Sequence, residues 1–175
     1  MIKTMQQCED MRTLYRKVIL LFILSATISS GIEIYFTPSN DCEDLIIREV
    51  ENAKRSVNIA VYSITNKKIV KAIIEKNKEI PIKMITDHEQ SLYKGSLFKK
   101  LKNGDVNIIL NDPMVNKTEH NKFAVIDDDK VITGSYNYTN RATYVNSENC
   151  ILIEDKEHKF KKRFNELWNS YFIKK

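Results

Sequence analysis

The chain has 175 residues, 42% apolar and 29% charged, with a net charge of +5. Once its first 30 residues are set aside, about 145 remain, enough for one domain around one core, and the lack of repeats, low-complexity tracts and linkers excludes a multidomain or disordered chain. Beyond Lys3, Arg12, Arg16, Lys17, Glu9 and Asp10, the remainder carries 24 cations against 21 anions, a surplus too mild to prove nucleic-acid binding by itself.

Positions 1–30 read as an address. Arg16 and Lys17 precede a continuously apolar Val18–Leu24, and Ser25–Ile32 is small and weakly apolar, the pattern of a secretory signal. The apolar part is short for a membrane span of ~20 residues, so cleavage near Ser29, Ser30 or Gly31 is favoured over an uncleaved amino-terminal anchor. Glu9 and Asp10 suit such a signal poorly, which makes Met11 the expected true start. The expected location is exported, periplasmic or secreted, with membrane association through the amino terminus as the alternative. Residues 31–175 are expected to form the single folded domain.

Glu33–Thr37 reads as a strand stopped by Pro38. Ser39 or Asn40 can cap a helix with Asp41, Glu43 and Asp44 in its first turn and Leu45, Ile46, Val50 and Ala53 at helical spacing. Val57–Ile64 is a strand, and Thr65 opens a helix with Ile69, Val70, Ile73 and Ile74 on its apolar side. Ile80–Thr86 is a strand, residues 91–102 a helix with Gly104 past its end, and Val106–Leu110 a strand. Asn111–Glu119 is a polar loop leading to His120. Phe123–Ile126 and Val131–Thr139 are strands, as is Cys150–Glu154, and Phe160, Phe164, Leu167 and Trp168 mark a final amphipathic helix. Strands alternating with helices, then adjacent strands, predict an α/β fold: a mixed sheet flanked by helices in one sandwich. Three lysine-rich stretches, Lys67–Lys78, Lys94–Lys102 and Lys159–Arg163, read equally as solvated helix faces or as phosphate-tracking surfaces. Cys42 and Cys150 show no metal-ligand spacing, and the preferred reading is two small, partly buried thiols, with a disulfide as the lesser alternative.

The residues that carry chemistry are His120-Asn-Lys122-Phe-Ala-Val-Ile-Asp127 and Gly134-Ser135-Tyr-Asn137. Side chains on a strand alternate between faces. His120 and Lys122 therefore share one face, and Ser135 and Asn137 share one on the next strand. Adjacent strands would offer a nucleophile, a cation, a hydroxyl and an amide to one anionic group. Asp127 has the wrong parity to join them and reads as a structural residue at the strand end. Lys is a poor metal ligand at neutral pH, so the spacing does not provide a metal site.

The segment from His120 to Glu148, HNKFAVIDDDKVITGSYNYTNRATYVNSEN, resembles the active-site block of the phospholipase D superfamily. It is most similar to the small members with a single motif, the bacterial endonucleases of the Nuc type and the mitochondrial cardiolipin hydrolase-like proteins. EIYFTP, SVNIAVYSIT and IPIKMITD resemble the opening of those proteins, so the likeness covers most of the chain from residue 33 onward. Tyr136 and Tyr138 stand where Phe is common, on the face away from the site. The resemblance implies a catalytic set of His120 as nucleophile, Lys122 as phosphate-binding cation, Glu148 as the acid that orients a histidine, and Asp127 completing the motif. Ser135 and Asn137 would support Lys122 in binding the phosphate. It implies no metal and no cofactor.

It further implies that two histidines act together. His88 reads as a solvated loop residue after a strand and His158 as the start of the last helix, so the second histidine is expected from another subunit, in a homodimer with a shared active site. The activity implied is a metal-independent phosphodiesterase working through a phosphohistidine. An exported endonuclease acting on DNA, including single strands, or RNA comes first. A phospholipase acting on membrane phospholipid comes second, with Pro113, Met114 and Val115 as the hint of an apolar lip. A nucleic-acid- or membrane-binding dimer without turnover comes third.

Overall fold

The computed structural model describes residues 31–111 and 118–172. The expectations for the amino-terminal segment and for Pro113, Met114 and Val115 lie outside these residues. Seven strands form one mixed sheet: β1 (Glu33–Phe36), β2 (Val57–Val61), β3 (Ile82–Thr86), β4 (Asn107–Leu110), β5 (Lys122–Ile126), β6 (Lys130–Gly134) and β7 (Asn149–Glu154). Their order is β1-β7-β6-β5-β2-β3-β4. β2, β3 and β4 run parallel and the remaining neighbours antiparallel. The carboxyl ends of β2, β3, β4 and β6 therefore lie along one edge with the amino ends of β5 and β7.

The central strands are buried on both faces, as a sheet covered by helices requires. On one face Val57, Ile59, Ala124 and Ile126 pack with Leu45, Ile46, Ile69 and Ile73, from α1 (Asp41–Asn52) and α2 (Lys67–Asn77). On the other, Ala60, Phe123, Val125 and Val131 pack with Phe164 and Leu167 of α6 (Lys159–Phe172). The alternation of β5 assigns Phe123 and Val125 to α6 and sends Lys122 to the opposite side.

Several element ends differ from the sequence reading, each for a local reason. At α1 one of the two expected caps makes the contact: Asn40 holds the N-cap position without a side-chain bond, and Ser39 Oγ accepts from the Asp41 N–H. Asn66 caps α2, its side chain accepting from the Lys68 and Ile69 N–H groups, so the helix starts after Thr65. Residues 91–102 are not one helix. Asp87 caps a short α3 (His88–Leu92), and α4 (Phe98–Asn103) follows after a break at Tyr93–Leu97. His88 is thus the first residue of a helix rather than a loop residue. Thr139 caps α5 (Asn140–Tyr144), accepting from the Ala142 N–H, a helix that the sequence reading does not predict.

β6 ends at Gly134 instead of running to Thr139. The Ser135 and Tyr136 N–H groups both donate to the Asn149 carbonyl, two residues against one, which is a bulge. Gly134 has φ 146°, and a Cβ there would stand 2.3 Å from the Asn149 oxygen, so only glycine lets the strands approach this closely. Tyr136 and Tyr138 still turn into the core.

Cys42 of α1 and Cys150 of β7 form a disulfide with Cα atoms 5.8 Å apart, correcting the preference for two free thiols. The spacing could not show it, because a helix and a strand 108 residues apart in sequence are brought together only by the fold.

Candidate active site

His120 and Lys122 stand at the amino end of β5, beside the carboxyl end of β2, where Val61 faces Lys122 in register. Just beyond, the Tyr62 N–H donates to the Asn121 carbonyl, which brings the Tyr62 ring between the two side chains. The ring centres of Tyr62 and His120 are 4.6 Å apart, and Lys122 Nζ lies 5.0 Å from the Tyr62 ring centre. The sequence reading missed Tyr62. Its only signal is an aromatic residue at the end of a buried strand.

Lys122 Nζ also donates to the His120 carbonyl at 2.6 Å. Burial lowers its pKa below the ordinary lysine value, against the pull of the Glu148 and Glu119 carboxylates, which act to raise it. Lys122 thus feels Glu148 across the site.

Glu148 sits just before β7. Its N–H donates to Thr37 Oγ1 and its carbonyl accepts from the Thr37 N–H, which fixes the backbone. Asn146 Nδ2 donates to Oε1 of its carboxylate at 2.9 Å. Among the described residues no hydrogen bond joins Glu148 to His120, and the His120 ring is exposed. Ser135 Oγ accepts from the Asn149 N–H at 3.1 Å, which leaves its proton free for an anion. The Asn137 side-chain oxygen is buried without a partner. An amide oxygen left unmet is uncommon in a folded interior; being an acceptor it is not met by an anion, and only the Nδ2 end of this amide could donate to one.

Asp127 lies at the other end of β5, some 17 Å from Lys122 at about 3.4 Å per residue. Its carboxylate accepts from the Lys54, Arg55 and Ser56 N–H groups, and the Arg55 guanidinium donates to its carbonyl. Burial works to raise its pKa, but these N–H groups outweigh burial and hold it below the ordinary aspartate value. It anchors the β5–β6 turn, as its parity implied, and touches none of the other motif residues.

Glu119 is a second residue that the sequence reading missed. It is buried at 1% exposure immediately before His120. Its carboxylate accepts from Asn121 Nδ2 at 2.6 Å and from the Tyr171 hydroxyl at 3.1 Å, while its N–H donates to Asp87. Burial, with Glu119 alongside, pushes Tyr171 up to about 12. This clamp ties the approach to His120 to α6 and to the end of β3.

His158 hydrogen-bonds through Nδ1 to the Asp128 carbonyl, at the end of β5 away from His120. His88 starts α3 at the end of β3, two strands from His120, with Nδ1 3.2 Å from Glu89.

A family model for the "Cardiolipin synthase, PLD-like domain" matches residues 46–168, a span that holds every one of these side chains except Thr37 and Tyr171. The chain belongs to the phospholipase D superfamily. Among curated superfamily relatives, "Phospholipase D" of Rickettsia prowazekii (strain Madrid E) is 30% identical over 78% of this chain and 66% of its own length. "Mitochondrial cardiolipin hydrolase" of Chlamydomonas reinhardtii is 29% identical over 69% of this chain and 54% of its own length. The chain thus spans less than two thirds of these relatives. Among solved structures, the phospholipase D family member Nuc from Salmonella typhimurium superposes with a TM-score of 0.73 at 25% identity, covering 79% of this chain and 94% of Nuc. NucT from Helicobacter pylori gives 0.69 at 25% identity, covering 80% and 98%. The mixed sheet flanked by helices is the fold of these superfamily members.

Proposed function

We propose that this chain is a phosphodiesterase that acts through a histidine nucleophile, and that its substrate is a nucleic acid. The observation that supports this most is the meeting of His120 and Lys122 on the Tyr62 ring, beside Glu148, Ser135 and Asn137. A phosphodiester resists attack because it is anionic and its alkoxide leaves poorly. His120 would form a bond to phosphorus as the bond to the leaving oxygen breaks. A protonated partner's His120 would give that oxygen its proton. The same imidazole would then take a proton from water, whose oxygen displaces His120 from phosphorus. Lys122, Ser135 and Asn137 would hold the charge of the transition state.

The shared-site homodimer remains part of this proposal. His158 is bound at the other end of β5, and His88 is turned to Glu89, so a second copy is the source of the second histidine. Export remains part of it too, and the Cys42–Cys150 bond suits an oxidising compartment.

The near end-to-end likeness to Nuc and NucT supports the nucleic-acid reading. The lysines of α2 give it less support: Lys68, Lys76 and Lys78 are each paired with a glutamate. One observation favours a phospholipase as the second reading. Phe36 and Val145 are exposed at 67% and 60%, each one residue from the Thr37–Asn146 hydrogen bond beside Glu148, and form an apolar lip.

The test is hydrolysis by residues 31–175 in excess EDTA, with His120→Ala alongside, of single-stranded DNA, duplex DNA, RNA and phospholipid vesicles. Cleavage of nucleic acid by the native chain alone is the expected result. Head-group release instead would select the phospholipase, and no turnover by assembled dimer would select a binding role.

A further inference from the structure

A cleft of about 350 Å³ opens beside the active-site edge on its α6 side. His120 and Asn121 border it where β5 begins, and Lys159, Phe160 and Arg163 line the other side, over Phe123. The floor is aromatic: Phe123 and Phe160 meet edge to face with ring centres 5.3 Å apart. Lys159 and Arg163 are one helical turn apart, so they share a face. Their ion-pair partners are exposed acids, Glu157 at 2.8 Å and Glu166 at 3.3 Å. Such pairs contribute little and yield readily to a stronger anion. Lys161 is different: it is held by Asp128.

We infer that this cleft is a subsite for the nucleotide next to the scissile phosphate of a single strand. Lys159 and Arg163 hold that nucleotide's own phosphate, and the Phe160 ring lies against its base. This rests on the nucleic-acid reading above and deepens it. A second phosphate at a fixed distance from the first is what a polynucleotide repeats at every unit, and two cations beside the reacting phosphate answer to it. An aromatic surface in a cleft accepts the face of any base, but only one free of a pairing strand. A lipid with one phosphate would bring neither a second phosphate nor a ring to stack, and cardiolipin, which has two phosphates, would bring no ring for Phe160.

The test compares a dinucleotide, which has one phosphodiester, with a single-stranded hexanucleotide. It uses the native protein, Lys159→Ala/Arg163→Ala, Phe160→Ala, and Lys67→Ala/Lys71→Ala as a control on exposed lysines of α2. For the native protein kcat/KM should rise by about tenfold or more from the short to the long substrate. The Lys159→Ala/Arg163→Ala variant should lose most of that gain, and its dependence on salt should flatten by about 0.7 in logarithmic slope for each phosphate that is no longer neutralised. Phe160→Ala should lose part of the gain with the salt slope kept, and the control should keep all of it. A native protein that cleaves both substrates equally, or a double variant that keeps the gain and the slope, overturns the subsite and leaves the nuclease reading standing. A native protein that cleaves neither while hydrolysing phospholipid vesicles overturns that reading and the subsite with it.

Discussion

The Lys122 ammonium donates to the carbonyl of His120, two residues back on the same strand end, at 2.6 Å. The cation is therefore tied to the His120 backbone, while it and the imidazole each lie against the Tyr62 ring. Replacing Lys122 by alanine should lower kcat by about a hundredfold to a thousandfold, the size of one lost oxyanion donor. Burial lowers its pKa while Glu148 and Glu119 resist, so the charged form is lost on the alkaline side at a pH below that of free lysine. Activity should fall there, and in Glu148→Gln, which lacks one of the resisting charges, the fall should come at lower pH still. A pH–rate profile of kcat/KM for both proteins measures this. An alkaline limb that does not move in the variant would separate Glu148 from Lys122.

His120→Ala should abolish turnover with the dimer intact, whereas His88→Ala and His158→Ala should stay within a few-fold of native. A loss in His88→Ala as deep as in His120→Ala would place both histidines in one chain. Sedimentation velocity alongside the assays gives the second check: the active species should be the dimer.

Tyr62 touches both reactive side chains. The ring contact with His120 and the cation–π contact with Lys122 are each worth about 1 kcal/mol. Tyr62→Ala should then lower kcat roughly tenfold to a hundredfold. Tyr62→Phe keeps the ring and removes only the hydrogen bond from Gln90, so it should stay near native. Equal losses in the two would assign the effect to the hydroxyl.

Asp127 should matter for stability and not for chemistry. Asp127→Asn weakens the N–H contacts from residues 54–56 and should cost about 1–2 kcal/mol in urea unfolding, with the activity of folded protein preserved. The folded pKa lies below the unfolded value of about 3.9. Its contribution is thus complete above that value and disappears as pH falls through the folded pKa. The difference between native and variant should close on acidification and persist at neutral pH.

The Cys42–Cys150 bond closes most of the chain into one loop. Cys42→Ser with Cys150→Ser should cost about 5 kcal/mol on the chain-entropy account, read as a lower denaturation midpoint that reducing agent reproduces in the native protein and leaves unchanged in the variant.

What was legible in the sequence was whatever is local. The strand periodicities of Val57–Val61 and Phe123–Ile126 gave the central sheet, and His120, Lys122, Ser135 and Asn137 stood out because a strand and its neighbour are close along the chain. Tyr62, Glu119 and the Lys159–Arg163 face come from ends of other elements, and only strand order brings them to His120. Strand parity placed Asp127 correctly, but Val131–Thr139 is not one unbroken strand. Gly134 lets two N–H groups share the Asn149 carbonyl, which alternation alone does not foresee. The helix expected over 91–102 followed its apolar spacing, whereas the cap at Asp87 started an earlier, shorter one.

Cys150 is two residues from Glu148, and a strand that slips by one residue turns every side chain to the opposite face. In the native register β7 directs Cys150 to Cys42 in the core; slipped by one, it would direct the thiol to the α6 side, out of reach of α1. Closure of the disulfide is therefore a readout of alignment. In residues 31–175, where Cys42 and Cys150 are the only cysteines, a closed disulfide reports a β7 that has not slipped by one residue beside Glu148.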